Sequence, residues 1–257
     1  MPLKIIFIKK RKGSVFLAVF LLVAVSVLYS QSFTHRAFQA FIEQDRQVPI
    51  YSVDTPKKKI AISFDAAWGD EFTQEILDIL KKYHVKSTFF LVGMWVDEYP
   101  GQVKRIHDAG HEIGNHSSTH PDMAKISEKE IIKELNTTGE KIKKITGEEP
   151  ILFRPPFGSY NDTLIDTAKK QGYYTIQWDV DSLDWKEEGV EPITERVTSK
   201  VREGSIVLFH NNAKYLTKAL PTVLETLQKE GYEIVPISEL IYKEDYYIDH
   251  TGRQFKN

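Results

Sequence analysis

The sequence predicts an α/β fold, a distorted (β/α)7-type barrel, behind an N-terminal transmembrane or signal segment. Three observations predict it. From Lys58 onward, short apolar runs alternate with amphipathic stretches about seven times, and successive βα units imply a parallel sheet. Polar clusters come directly after several of those runs, where barrels of this kind carry their chemistry. The chain has 257 residues, 41% hydrophobic and 27% charged, which suits one α/β domain with a substantial core. A doubly wound open sheet is the alternative, but it must bring five loops to one switch point.

Residues 1–30 carry Lys4, Lys9, Lys10, Arg11 and Lys12, no acid, and the apolar run Ser14 to Tyr29. Basic residues ahead of such a run keep the N-terminus inside and export the chain beyond it. The run shows no polar face and no convincing small-residue cleavage site. It is read as a membrane anchor, with a cleaved leader as the alternative, so the domain is expected outside the cytoplasm. Removing these five basic groups from 34 Lys+Arg leaves 29 against 36 Asp+Glu. An acidic exported domain is a poor partner for nucleic acid. The absence of cysteine excludes disulfides and thiolate metal sites. No feature sets an oligomeric state.

Residues 31–57, with Pro49 and Pro56, read as a spacer, 58–245 as the domain and 246–257 as a tail. Strands are expected at Lys59–Phe64, Ser87–Leu91, Glu112–Asn115, Ile151–Arg154, Thr175–Trp178, Ser205–Phe209 and Glu233–Pro236. Helices are expected at Thr73–Tyr83 and Gln102–Ala109, and from near Asn161, Pro192 and Leu216. Ser127 and Glu130 form a capping box that opens a long helix to about Thr146, where Gly147 stops it.

Five clusters sit just past strand-like runs: SFDAAWGDE (Ser63 to Glu71), GNHSSTH (ending at His120), RPPFG (Arg154 to Gly158), DSLDW (Asp181 to Trp185) and LFH (Leu208 to His210). His116 and His120 are four apart, so one turn of chain brings both imidazoles toward one divalent cation. A pair of plain loop histidines is the bland alternative. An Asp65 that merely caps a helix is the bland alternative, and it is disfavoured because the next helix starts later, near Thr73.

Together, in this order, the clusters resemble the polysaccharide deacetylase (NodB-homology) family of chitin and peptidoglycan deacetylases, over roughly Lys58 to Ile241. The FDAAWGDE variant and the leader also resemble its sporulation-associated Gram-positive branch. The resemblance implies Asp65 as catalytic base, Arg154 as its bidentate partner, His210 as general acid and Asp184 as the group orienting His210. It implies His116 and His120 as ligands of a divalent metal, zinc first, with cobalt, nickel or manganese as alternatives. Phe157, Tyr160, Trp185 and Leu208 would line the pocket for an N-acetylated cell-wall glycan, with the Phe157 N–H facing the oxyanion.

One departure stands out. The family usually has a second, metal-binding aspartate where this chain has Ala66, and Ala67 replaces the following glycine. Two imidazoles without an anionic ligand bind zinc weakly, and Asp70 is the candidate substitute. The expected function is a metal-dependent hydrolase removing N-acetyl groups from a cell-wall polysaccharide. The competing class is a glycan-binding protein on the same fold with impaired turnover. A metallopeptidase is disfavoured because no HExxH helix occurs.

Overall fold

The computed structural model describes residues 47–257. The anchor and the first part of the spacer lie outside the described residues. Among these residues an eight-stranded, all-parallel sheet forms the centre. In chain order the elements are β1 (Ser52–Val53), β2 (Lys59–Ala66), α1 (Thr73–Lys82), β3 (Thr88–Leu91), α2 (Gly93–Glu98), α3 (Pro100–Asp108), β4 (Glu112–Asn115) and α4 (Glu128–Thr146). Then come β5 (Leu152–Phe153), α5 (Asp162–Lys170), β6 (Tyr174–Thr175), β7 (Val180–Asp181), α6 (Val190–Thr198), β8 (Ile206–His210) and α7 (Leu216–Lys229). The chain ends with β9 (Glu233–Ile234), α8 (Ile237–Leu240), β10 (Tyr246–Ile248) and β11 (Arg253–Lys256).

The sheet runs β6-β5-β4-β3-β2-β8-β7, with β9 on β2, so β6 and β7 are its two ends. It is a curled half-barrel rather than a closed ring. Residues 47–57, expected as spacer, are instead built into the fold. Ile50 bridges to Ile176, Ser52 bridges to Ser205, and both Ile50 and Val53 are buried. The C-terminal stretch is likewise ordered: β10 and β11 pair antiparallel, and β11 adds to β1. The sequence shows neither because each strand is two to four residues long, too short for a period, and β1 finds its partner β11 only across most of the chain.

Strand alternation sorts β2 and β8 into two faces. Ile60, Ile62, Phe64, Ala66, Val207 and Phe209 join the apolar cluster under the helices. Ala61 and Ile206 join a second cluster that fills the half-barrel with Ile50, Val53, Phe90 and Ile237. Ser63, Asp65, Leu208 and His210 share the parity of that inner face. The capping box is present, with both reciprocal bonds between Ser127 and Glu130, and Gly147 closes α4 in the left-handed conformation.

Candidate active site

All five clusters leave the C-terminal ends of strands in the one parallel sheet: β2, β4, β5, β7 and β8. Asp65 and His210 are Cα partners on neighbouring strands, so a carboxylate and an imidazole begin side by side.

Asp65 is buried. Its Oδ1 accepts a 2.7 Å bond from Arg154 Nη1, and its Oδ2 lies 3.4 Å from His116 Nε2. Burial alone would raise this carboxyl, but the charges of Arg154, His116 and His210 outweigh it and hold it below the usual carboxylate range. Arg154 is fully buried, with Phe90 4.1 Å under its guanidinium. The bidentate grip expected from the sequence is not formed, because Nη2 donates to the Gln177 carbonyl at 3.2 Å. Arg154 therefore ties β5 to the end of β6 as well as neutralising Asp65.

His116 donates from Nδ1 to the Arg154 carbonyl at 2.7 Å, which turns Nε2 toward Asp65. Burial, reinforced by the Arg154 and His210 charges, lowers its pKa against the pull of Asp65. The His120 ring is 4.9 Å from that of His116. Burial, then the neighbouring His116, push His120 down to about 4. The loop between them is strained, with Ser117 and His120 at φ of 69° and 56°. Its hydrogen bonds over-determine it. Asn115 Oδ1 accepts from the Ser117 N–H, Ser117 Oγ accepts from the His120 N–H, and the Glu134 carboxylate accepts from Ser118 N, Thr119 N and Thr119 Oγ1. Glu134, on α4, was invisible as a site residue because it looks like any polar helix position.

His210 donates from Nδ1 to Asp184 Oδ1 at 2.7 Å, and its backbone N–H reaches Asp184 Oδ2 at 2.8 Å. Burial would lower this imidazole, but the bond and charge of Asp184, with Asp65 and Asp181 behind them, raise it above its ordinary value. With Nδ1 so engaged, Nε2 is the nitrogen left for chemistry.

The pocket candidates separate. Phe157 and Trp185 are exposed on the RPPFG and DSLDW loops, and Leu208 is buried on the inner face of β8. Phe157 has φ 59°, a strained backbone for a ring-bearing residue. Tyr160 is set edge-on against Tyr51 at 6.5 Å, in the segment before β2. Asp181 accepts from the Leu183 N–H and shapes its own loop.

The residues present do not fit a three-ligand metal site. Ala66 is 1% exposed and its methyl belongs to the apolar cluster under the helices. Asp70 does not replace the missing ligand: its Oδ2 accepts from Gln102 Nε2 at 2.8 Å and its carbonyl from the Thr73 N–H, so it braces the start of α1. Among the described residues no three His, Cys, Asp or Glu side chains are grouped to hold a metal ion.

The half-barrel thus carries an Asp65–Arg154 pair at one strand end and a His210–Asp184 pair at the next. Residues 52–176 match the family described as Polysaccharide deacetylase. The chain is 37% identical to a peptidoglycan-N-acetylglucosamine deacetylase of Bacillus cereus, covering 74% of this chain and 92% of that protein. It is 36% identical to the uncharacterized protein YlxY of Bacillus subtilis, covering 78% of this chain but only 62% of that protein. Among solved structures, BA3943 of Bacillus anthracis, described as a CE4 family pseudoenzyme, superposes with a TM-score of 0.74 at 37% identity, covering 82% of this chain and 73% of that one. A BA3943 mutant described as having restored enzymatic activity gives 0.73 at 41%, covering 75% and 71%. The chain belongs to the polysaccharide deacetylase family, a family of hydrolases.

Proposed function

We propose that this chain is a deacetylase of an N-acetylated amino-sugar polymer of the cell wall, peptidoglycan or a chitin-like glycan. One observation carries this reading: Asp65 and His210 stand on adjacent strands, each locked by its own buried partner, with pKa values pushed apart. Asp65 is ionised and takes a proton from water as the water oxygen bonds to the acetyl carbonyl carbon. The C–N bond then breaks, acetate departs, and His210 Nε2 gives its proton to the leaving amine. The Phe157 N–H serves the oxyanion, and Trp185 and Leu208 wall the acetyl methyl group. The anchor would hold the domain at the outer face of the membrane, or release it if cleaved.

Acetate release from N-acetylglucosamine oligomers or peptidoglycan tests this, with zinc, cobalt, nickel and manganese each supplied. Asp65→Asn is expected to lower the rate by about 10²-fold or more. Folded wild-type protein that releases no acetate with any of these ions refutes catalysis.

A second reading is favoured by Ala66. A carboxylate held this low is a weak base for ordinary water, and the metal that would acidify that water lacks a complete ligand set. On this reading the protein binds the glycan with turnover curtailed. Retention on insoluble peptidoglycan would then survive Asp65→Asn and His210→Ala.

A further inference from the structure

We propose that Trp68 is a sugar-stacking residue that holds a pyranose ring of the glycan at the mouth of the site, an inference that rests on the glycan-directed reading above. Trp68 comes directly after the Ala66-Ala67 departure and is 59% exposed, whereas Trp95 beside it is 1% exposed. Its indole stands edge-on to His120 at 5.0 Å, and Phe157, 70% exposed, stands edge-on to the same imidazole at 4.6 Å. Two exposed aromatic rings thus bracket one imidazole at the rim.

The loop under Trp68 is fixed, so the indole is presented rather than free. The Gly69 carbonyl accepts from Trp95 Nε1 at 2.7 Å and from Asn211 Nδ2 at 2.8 Å. Gly69 itself sits at φ +61°, which its lack of a side chain permits. A pre-set aromatic loses little freedom on binding. Exposed apolar rings beside polar groups call for a ligand with an apolar face and a polar rim. A pyranose has both: its C–H face lies on the indole while its hydroxyls and N-acetyl group reach toward His120 and Asp65.

The test compares the full chain with Trp68→Ala and Trp68→Phe, titrated with short N-acetylglucosamine oligomers and followed by calorimetry and thermal unfolding. Trp68→Ala is expected to weaken binding about tenfold with an unchanged melting temperature, and Trp68→Phe to restore most of it. Trp68→Ala binding as tightly as wild type overturns the inference. A loss of binding that tracks a drop in melting temperature also overturns it, because that marks a role in folding. Wild-type protein that binds no glycan overturns the reading of the whole site, and this assignment with it.

Discussion

Asp184 grips His210 through both carboxylate oxygens, one on the ring and one on the backbone N–H, so its removal separates charge from geometry. Because the folded pKa of His210 lies above its ordinary 6.5, this group stabilises the fold fully below that pH, and the contribution is lost as pH rises through the raised folded value. Asp184→Asn is expected to lower the His210 titration midpoint, read by proton NMR of the ring, and to flatten the decline of stability above neutral pH. A midpoint that does not move would show that Asp184 is not the cause. Ala66 lends itself to the opposite manipulation. Ala66→Asp buries a carboxylate in an apolar cluster and is expected to cost about 1–3 kcal/mol without metal. A rise in the melting temperature of the variant with zinc, well beyond any rise in wild type, would show that the new carboxylate turns out of that cluster to join His116 and His120.

The loop joining β4 to α4 is an element whose conformation is imposed from outside. Two of its residues have left-handed backbone, and one carboxylate on α4 accepts three of its donors. Glu134→Ala is expected to leave those donors to water and release the strain, with fast amide hydrogen exchange confined to 117–120 and stability reduced by about 1–3 kcal/mol. Exchange rates unchanged from wild type would show that the loop holds itself. The elements with strong periodic or capping signals, β2, α1, β4 and α4, lie within one or two residues of where the sequence placed them, since each signal is local. The short α2 was missed because six residues are too few to display a helical period.

For the whole molecule, the segment before β2 forms a seam that joins the end of β6 to the start of β8. A Cβ on Gly204 would lie 1.7 Å from the Val53 carbonyl oxygen, and its φ of +80° is itself strained for other residues. Val53 N–H donates to the Gly204 carbonyl at 2.9 Å. Gly204→Ala is expected to cost more than ~1 kcal/mol in urea unfolding, by forcing that segment off the start of β8. Stability equal to wild type would show that the seam is loose. The parallel order and the convergence of five loops were legible from the alternation of apolar runs and polar clusters, because a βα unit fixes which end of its strand faces the mouth.

The sequence singled out Asp65, His116, His120, Arg154, Asp184 and His210 through the resemblance of five ordered clusters to a known family, and the βα alternation put those clusters at one rim, because strand direction alone decides that. Only the tertiary structure decided that Arg154 splits its guanidinium between Asp65 and a carbonyl, that Asp70 braces a helix, and that Trp68 stays in water. Those outcomes depend on partners brought alongside by sheet register from distant parts of the chain, and spacing along a sequence carries no record of them.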